Sequence, residues 1–251
     1  MPDLSDRVVL VAGGGRGIGR GTAEKLAACG AAVGIADIDP ALVEEAVASV
    51  RQKGGTAYAL PGDMGSQAET MRVAGELAAK AGRIDGVVNS AMWIRYEPIT
   101  EVSEETMSRM IDVGFKAPVW AAQALLKHMD PARGGVLINF SSPAAMQGYP
   151  NTAIYAAVKG AMVTLTRSLA VELGPKKVRV NAVVPGPVPT PGARAVVDEA
   201  GYELRKRKTP LGRLGREEDL ANAIAFLFSD DADFITGTVL NVDGGCSLTA
   251  S

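Results

Sequence analysis

Tyr155 and Lys159 are the two side chains whose types and spacing most clearly suggest chemistry. On a helix, residues four positions apart lie on one face, so the phenol and the ammonium would be neighbours. An ammonium ~4–6 Å away favours the phenolate and lowers the pKa of a tyrosine from ~10 toward neutral pH, which suits an acid–base catalyst. Ser142 precedes this pair by 13 residues and could hold a substrate oxygen. These three residues are the predicted catalytic residues.

The scarcity of histidine and cysteine argues against two other kinds of catalysis. The chain has one histidine, His128, and two cysteines, Cys29 and Cys246, which are far apart in sequence. A zinc site needs three or four such ligands, and a histidine-based triad needs the histidine beside a nucleophile. We therefore expect no metal site, and we expect His128 to be a surface residue at a helix end. The chemistry must use hydroxyls, carboxylates, lysine or a bound cofactor.

A glycine-rich turn follows the first apolar run of the chain, where residues 12–19 read AGGGRGIG. Glycine lets the backbone turn tightly and lets a pyrophosphate approach the amide groups at a helix N-terminus. A strand, a glycine turn and a helix in this order predict a dinucleotide site. The residues of the turn that we expect to bind the cofactor are Gly13, Gly15, Arg16, Gly17, Ile18 and Gly19.

Asp37 ends the second predicted strand, 18 residues after Gly19. A carboxylate at this position can accept hydrogen bonds from both hydroxyls of an adenosine ribose. It would repel a 2′-phosphate, because two like charges ~4 Å apart cost about 4 kcal/mol at an effective dielectric constant of ~20. The sequence therefore predicts NAD as the cofactor. NADP is the less favoured alternative, since Arg16 in the glycine turn could neutralise a 2′-phosphate.

Short β-branched runs alternate with longer helical patterns along the whole chain. The predicted strands are Val8–Ala12, Ala32–Ala36, Thr56–Leu60, Gly86–Asn89, Val136–Phe140, Arg179–Val184 and Val239–Val242. The predicted helices are Gly17–Cys29, Pro40–Lys53, Ser66–Ala81, Glu104–Met129, Ile154–Leu173 and Glu217–Phe228. The strands are almost continuously apolar, as is typical of parallel strands covered on both faces. The pattern predicts an α/β fold, a doubly wound parallel sheet of about seven strands.

The division of the chain gives no sign of a second domain. No linker, repeat or low-complexity tract interrupts residues 1–251, so we expect a single domain. The least regular segment, between Pro185 and Gly215, holds five of the 14 prolines. Long loops that follow a strand of such sheets bind ligands, so residues 187–215 are predicted to form a short substrate lid.

Charge and hydropathy limit the classes of partner. Lys and Arg total 26 against 28 Asp and Glu, and the net charge of −2 gives no general attraction to nucleic acid or an anionic membrane. The longest early apolar runs are far shorter than the ~20 residues of a membrane span, and no secretion signal opens the chain. We expect a cytoplasmic protein whose partners are small molecules and copies of itself.

A set of short motifs resembles those of the short-chain dehydrogenase/reductase family over nearly the whole length. The motifs are the glycine turn, Gly62-Asp63, Asn89-Ser90-Ala91, Ser142, Tyr155 with Lys159, Pro185-Gly186 and Asp243-Gly244-Gly245. Within that family, the 3-oxoacyl-(acyl carrier protein) reductases are among the most similar in overall pattern. The resemblance implies a Rossmann fold and hydride exchange between a nicotinamide cofactor and a carbonyl or secondary alcohol.

The resemblance also implies a role for each matching residue. Tyr155 would be the acid–base group, Ser142 would orient the substrate, and Lys159 would bind the nicotinamide ribose and tune Tyr155. The remaining cofactor contacts would be Asp63 and Met64 beside the adenine, Asn89 and Ala91 on the cofactor floor, and Pro185, Gly186, Val188 and Thr190 beside the carboxamide.

The chain departs from the family pattern at several positions. Ala12 replaces a threonine that braces the glycine turn, Ser90 replaces an asparagine, and Met92 replaces a glycine. Gly114 stands where the family has a fourth catalytic residue, an asparagine that helps to hold a water between the lysine and solvent. A glycine there could permit a helix distortion, with a second water in place of the amide. We therefore expect activity, at a reduced level.

Three functions remain open at this point. The first is an NAD-dependent oxidoreductase for a hydrophobic secondary alcohol or ketone, with an apolar pocket formed by Met92, Trp93, Ile94, Met146, Tyr149, Val196 and Val197. The second is a 3-oxoacyl thioester reductase that uses NADPH, with acyl-carrier protein or CoA phosphates attracted by Arg133, Lys176 and Arg205–Lys208. The third is a cofactor-binding protein that has lost turnover through Gly114.

The family resemblance further implies a homotetramer. The helices before and around the catalytic tyrosine, Glu104–Met129 and Ile154–Leu173, would form one interface, and the C-terminal region another. Both helices are apolar enough to fit such a role.

Overall fold

A computed structural model describes residues 1–249 of the chain. It contains one sheet of seven parallel strands in the order β3-β2-β1-β4-β5-β6-β7. The strands are β1 Val8–Ala12, β2 Ala32–Ala36, β3 Thr56–Ala59, β4 Gly86–Asn89, β5 Gly135–Phe140, β6 Val178–Pro185 and β7 Val239–Val242. The strand order reverses its direction at β1, and ligands bind at such a switch point of a doubly wound sheet. The predicted fold class is confirmed.

Helices cover both faces of the sheet. They are α1 Gly17–Ala28, α2 Pro40–Gln52, α3 Gln67–Ala81, α4 Glu104–Ile111, α5 Ala117–His128, α6 Ala153–Leu173, α7 Pro191–Arg194, α8 Glu199–Lys208 and α9 Glu217–Phe228. Helices α1, α2 and α9 share one apolar core with the strands, and α3, α5 and α6 share the other. Within β1, Val9 and Val11 belong to the first core and Leu10 to the second. Burial on both sides explains why the strands lack polar alternation.

Most predicted elements agree with the structure to within one residue, but the long helix predicted over Glu104–Met129 is wrong as a single element. A π-helical turn at Asp112–Lys116 separates α4 from α5. The Ala117 amide donates to the Asp112 carbonyl, which is the wider spacing of a π turn. Pro118 has no amide hydrogen to donate to the Gly114 carbonyl, so the regular ladder fails at this point. The helix distortion foreseen at Gly114 is therefore present.

The segment predicted as an irregular lid, 187–215, contains the short helices α7 and α8. Thr190 caps the first of them, with its hydroxyl oxygen accepting from the Ala193 amide at 3.2 Å. Asp198 caps the second, with its carboxylate accepting from the Gly201 amide at 2.8 Å. The prolines of this segment concealed the helices, because Pro191 lies at the first position of α7, where a proline is tolerated.

Among residues 1–249, no helix combines the length and the apolar character that crossing a membrane requires.

Candidate active site

The predicted catalytic residues meet on the wall of one cavity of about 1210 Å³. Ser142 follows the carboxyl end of β5, whereas Tyr155 and Lys159 lie on successive turns of α6. The hydroxyl oxygen of Ser142 accepts a hydrogen bond from the Ala144 amide at 3.2 Å, which fixes the side chain at the start of a 3₁₀ turn. A strand end and a helix face thus present all three groups to the same space.

Lys159 is 6% exposed, and its Nζ donates to the carbonyl oxygen of Phe140 at 3.0 Å. Burial lowers the pKa of Lys159 to about 8, because an ammonium loses hydration in the interior. The Nζ atom lies 5.9 Å from the centre of the Tyr155 ring. The ammonium is therefore close to the phenol and is anchored to the strand that carries Ser142.

The expectation that the lysine lowers the pKa of Tyr155 is wrong for this structure. Burial raises the pKa of Tyr155 above its ordinary value, because the phenolate would be poorly hydrated. Hydrogen bonding by Ser142, the charge of Arg205 and hydrogen bonding by Tyr96 oppose that rise. The groups that stabilise the phenolate here thus include two residues outside the predicted trio.

Tyr96 is a site residue that the sequence reasoning missed. Its ring packs edge-on against Tyr155, with the ring centres 5.4 Å apart and the planes at 73°. Burial and the neighbouring Tyr155 raise the pKa of Tyr96, so its hydroxyl stays protonated and can donate toward the Tyr155 oxygen. No spacing motif links the two tyrosines. An aromatic residue soon after the Asn89-Ser90-Ala91 stretch was the one available signal.

The glycine turn joins β1 to α1 in a conformation that side chains would prevent. Gly13 has a φ of 75°, and a Cβ atom there would lie 2.5 Å from the Ala91 amide nitrogen. A Cβ at Gly19 would collide with the carbonyl oxygen of Gly13. Helix α1 begins at Gly17 without a side-chain cap from Arg16. Gly17 and Ile18 line the cavity, so the first amide groups of the helix are available to bind an anion such as a pyrophosphate.

Asp37, which is predicted to contact the adenosine ribose, lies just past the end of β2. One carboxylate oxygen accepts a hydrogen bond from the Gly15 amide at 3.1 Å. Arg16 and Asp37 both line the cavity. This end of the cavity therefore contains both Arg16, which could neutralise a 2′-phosphate, and Asp37, which would repel it.

The part of the cavity that is predicted to hold the adenine contains a half-buried ion pair. Asp63 accepts from Arg109 of α4 at 2.8 Å and from the Gly65 amide at 2.9 Å. Burial acts to raise the pKa of Asp63, but hydrogen bonds from Arg109 and Gly65 outweigh it and the pKa is lowered. Met64 lines the same part of the cavity. Arg109 was not foreseen, because α4 is remote in sequence from the glycine turn.

Three predicted cofactor residues lie outside the cavity wall. These three are Gly15, Gly19 and Asn89, whereas the other residues predicted to bind the cofactor line the cavity. The Asn89 amide nitrogen donates to the Asn139 side chain at 2.8 Å, so Asn89 braces β4 against β5. The predicted contact of Asn89 with the cofactor floor stays a prediction, and the amide nitrogen of Asn89 also supports the sheet.

The residues predicted to meet the carboxamide all lie on the cavity wall: Pro185 at the end of β6, and Gly186, Val188 and Thr190 after it. A Cβ at Gly186 would lie 2.6 Å from the Asp243 Cα, so the Asp243-Gly244-Gly245 turn packs directly against it. Thr190 reaches back to the glycine turn, since its Cβ is 3.3 Å from where a Cβ of Gly17 would be. The lid and the glycine turn are thus in contact.

The side chain of Met92 fills the space beside Gly114. A Cβ at Gly114 would lie 2.5 Å from Val158 Cγ1 and 2.9 Å from the Met92 sulfur. The methionine side chain therefore occupies volume next to the position where the family asparagine would project. Replacing Gly114 by asparagine alone would not restore the family arrangement, because the space is taken.

The predicted apolar pocket is present with one exception. Trp93, Ile94, Tyr149, Val196 and Val197 line the cavity together with Met92. Met146 does not line it and is 64% exposed, because the 3₁₀ turn after Ser142 directs it to the surface.

His128 ends α5 and does not line the cavity. Among residues 1–249, no three His, Cys, Asp or Glu side chains form a group that could hold a metal ion.

Three features together define a nucleotide-dependent oxidoreductase. They are the parallel doubly wound sheet, the glycine turn at its switch point, and the two hydroxyl groups and the lysine in the same cavity. A model of the protein family described as enoyl-(acyl carrier protein) reductase matches residues 12–247. The chain belongs to the short-chain dehydrogenase/reductase family, and it is an oxidoreductase that acts on CH–OH and C=O groups.

Three relatives illustrate the similarity. Cyclopentanol dehydrogenase of Comamonas sp. is 34% identical, over 98% of this chain and 98% of the relative. The structure of 3-ketoacyl-(acyl-carrier-protein) reductase from Brucella melitensis complexed with NADH has a TM-score of 0.91 and 33% identity, covering 98% of this chain and 100% of that one. A Beutenbergia cavernae protein, described as an NAD(P)-dependent gluconate 5-dehydrogenase with NADP at low occupancy, has a TM-score of 0.92 and 34% identity, covering 98% and 99%.

Proposed function

We propose that this protein is an NAD-dependent dehydrogenase or reductase that interconverts a secondary alcohol and a ketone. The observation that carries the proposal is the presence of Ser142, Tyr155 and Lys159 on the wall of a cavity that also reaches the glycine turn and Asp37. Pockets for one small ligand are ~300–1,000 Å³, so 1210 Å³ leaves room for a substrate beside a dinucleotide. The alcohol named in the Comamonas relative supports this class of substrate.

The chain's own residues suit proton transfer at the substrate oxygen. A bound nicotinamide supplies the hydride in reduction and takes it in oxidation. The Tyr155 phenol gives its proton to the carbonyl oxygen in reduction and, as phenolate, takes the alcohol proton in oxidation. Ser142 holds that oxygen, and hydrogen bonding by Ser142 and Tyr96 together with the charge of Arg205 stabilises the phenolate.

NAD is the proposed cofactor. The cradle fits a dinucleotide because Gly13 allows close backbone approach, and Asp37 lies beside the glycine turn, where it can accept hydrogen bonds from a ribose. The Asp37 carboxylate would repel a 2′-phosphate, and the NADH complex of the Brucella relative agrees with this choice. The NADP of the Beutenbergia relative keeps NADP as the alternative.

The reaction is tested by following NADH absorbance with a panel of secondary alcohols and ketones. We expect turnover in the wild type and loss of more than 99% of it in Tyr155→Phe, with NADH binding by fluorescence titration within about twofold of wild type. Substantial activity in Tyr155→Phe would remove Tyr155 as the acid–base group. Binding without turnover across the panel would favour the third candidate, a cofactor-binding protein.

A 3-oxoacyl thioester reductase is the second candidate function, supported by the Brucella relative and by Arg205 and Lys208 on the cavity wall. Arg133 and Lys176 do not support it, because neither lines the cavity and Arg133 is paired with Asp6 at 2.7 Å. Preference for NADPH over NADH with acetoacetyl-CoA would favour this candidate.

A homotetramer in the cytoplasm is proposed for the assembly and location. Exposed apolar side chains on the helices before and around Tyr155, such as Met107, Phe115 and Val171, are suitable for contacts between copies. The C-terminal region adds Phe234 and Leu248. The two cysteines are unpaired among residues 1–249, in keeping with a reducing compartment.

A further inference from the structure

The cavity wall formed by α8 carries two positive side chains, Arg205 and Lys208. Tyr202 lines the cavity with them, and the spacing of three residues puts all three on one side of the helix. Cations at the C-terminal turn of a helix are favoured by its dipole, which accounts for the run Arg205–Lys208 as a whole. The helix dipole does not explain why Arg205 and Lys208 line the cavity while Lys206 and Arg207 do not.

Most other charges on the cavity wall have partners within the protein, and among residues 1–249 Arg16 of the glycine turn is the exception. Arg109 pairs with Asp63 at 2.8 Å, and Arg194 pairs with Glu199 at 3.4 Å. The carboxylate of Asp198, also on this wall, accepts the Gly201 amide at 2.8 Å as the cap of α8. With these groups paired, the unpaired charge near the lid is carried by side chains of α8.

Arg205 and Lys208 differ from these groups. Within the described part of the chain, neither side chain forms an ion pair or a hydrogen bond with a protein group. Two cations three residues apart on a cavity wall raise the local positive potential, and an anion placed between them would lower it. This end of the cavity is therefore suited to a negatively charged group.

The hydroxyl of Tyr202 is a second, independent sign of a missing acceptor. Tyr202 is 2% exposed, and among residues 1–249 its hydroxyl has no hydrogen-bond partner. A buried hydroxyl without a partner costs free energy that a ligand oxygen would recover. Tyr202 and Arg205 line the same cavity, so an oxygen that reaches this hydroxyl could belong to the same ligand group as an anion at Arg205.

Arg205 and the catalytic Tyr155 line the same cavity. Burial raises the pKa of both Tyr155 and Tyr149, and the positive charge of Arg205 opposes the rise in each case. An anion at Arg205 and an oxygen at Tyr155 can thus belong to one small molecule.

We infer that the substrate carries a carboxylate, sulfonate or phosphate group away from its reacting carbon, and that Arg205, assisted by Lys208, binds this group. A guanidinium holds such oxyanions through charge-assisted hydrogen bonds in a fixed fork. The inference rests on the proposed function, since it concerns the substrate of the same site. It changes the expected substrate from a purely hydrophobic ketone to one with an apolar body and an anionic end.

The test compares the keto acid 4-acetylbenzoate with its neutral counterpart 4-acetylbenzamide, as substrates of the NADH-loaded enzyme. We expect a higher kcat/KM for the acid in the wild type. Arg205→Gln should lower the acid-to-amide ratio of kcat/KM by about 10- to 100-fold, mostly through KM. Arg207→Gln is the matched control, because it removes the same charge from the same helix turn outside the cavity, and it should leave the ratio within about twofold.

A second arm identifies the source of the anion. Acetoacetyl-CoA and acetoacetyl-N-acetylcysteamine share the reacting group, but only the first carries phosphates. An effect of Arg205→Gln on the CoA thioester alone would assign the site to phosphates of a carrier, whereas an effect on 4-acetylbenzoate alone would assign it to a small acid. No effect on either ratio would overturn the inference.

Calorimetry separates this inference from the proposed reaction. If neither acetyl compound is turned over, the proposed function fails for this class, and binding of 4-acetylbenzoate to the enzyme with NADH decides the inference. Binding that weakens at least tenfold in Arg205→Gln and not in Arg207→Gln supports it. Equal binding by the two variants, or no binding by the wild type, contradicts it.

Discussion

At the scale of single residues, the site depends on polar groups whose effect comes from their surroundings. Lys159 is anchored to Phe140 inside the protein, and Tyr155 is flanked by Ser142 and Tyr96. Asp37 is held by the Gly15 amide at the end of β2. Two of these residues lead to predictions that separate a chemical role from a structural one.

Asp37→Ala is expected to narrow the preference for NAD over NADP by at least tenfold, because it removes the charge that would repel a 2′-phosphate. The ratio of the two kcat/KM values measures the effect. Asp39→Ala is the matched control. Asp39 caps α2 and does not line the cavity, so its loss should cost about 1 kcal/mol of stability and leave the cofactor ratio unchanged. An unchanged ratio in Asp37→Ala would show that Asp37 does not contact the ribose.

Tyr96→Phe is expected to raise the pKa of Tyr155, since it removes a hydroxyl that stabilises the phenolate. In the oxidation direction the phenolate is the active form, so activity rises with pH through this pKa. The variant's profile of kcat/KM should shift to higher pH by about 0.5–1, given a net hydrogen-bond contribution of ~0.5–1.5 kcal/mol. Tyr58→Phe, on β3 and outside the cavity, should not move the profile. An unshifted profile in Tyr96→Phe would reduce Tyr96 to a packing residue.

At the scale of elements, the interruption between α4 and α5 contains Gly114, one of the positions at which the chain departs from its family pattern. Pro118 breaks the hydrogen-bond ladder, Gly114 removes a side chain, and Met92 and Val158 fill the vacated volume. Gly114, Met92 and Val158 share one packing space. A change at one of them should therefore depend on the others.

Gly114→Ala is expected to destabilise the protein by about 1–3 kcal/mol, because its Cβ would overlap Val158. Adding Val158→Ala should recover part of that loss, although Val158→Ala alone creates a cavity. Urea unfolding of the four proteins of this double-mutant cycle measures the coupling. Gly75→Ala in α3 is the control, since nothing lies near its Cβ and the change should stabilise by about 0.5–1 kcal/mol. Additive effects of Gly114→Ala and Val158→Ala would show that the two residues do not share this space.

At the scale of the whole molecule, both faces of the sheet are covered, and several exposed apolar side chains lie on helices and in the C-terminal region. Val171 is 80% exposed near the end of α6. An apolar side chain this exposed on a predicted interface helix favours burial against another copy.

Light scattering is expected to give a mass of about four 26.0 kDa chains. Val171→Glu should reduce that mass, because a charge buried in an interface is unpaired, while circular dichroism stays that of the wild type. Ile99→Glu, at an exposed apolar residue on the loop before α4, should remain tetrameric. A wild-type monomer would contradict the proposed assembly.

The amino-acid sequence by itself determined the architecture and the positions of the main chemical groups. Parallel strands are read from continuous apolar runs, and the glycine turn and the Tyr155–Lys159 spacing are local patterns that survive without coordinates. For this reason the strands and most helices were predicted to within one residue. The lid helices and the π turn were missed, since prolines and a glycine obscure helical periodicity.

Only the tertiary structure decided which groups act on one another. Tyr96 beside Tyr155, Arg109 on Asp63 and Met92 against Gly114 join residues that no local spacing relates. Burial also reversed the expected direction of the Tyr155 pKa, because desolvation depends on everything packed around a group rather than on its partner in sequence. These contacts and the pKa shift arise from packing between residues that are distant in sequence, so they cannot be read from the order of residues along the chain.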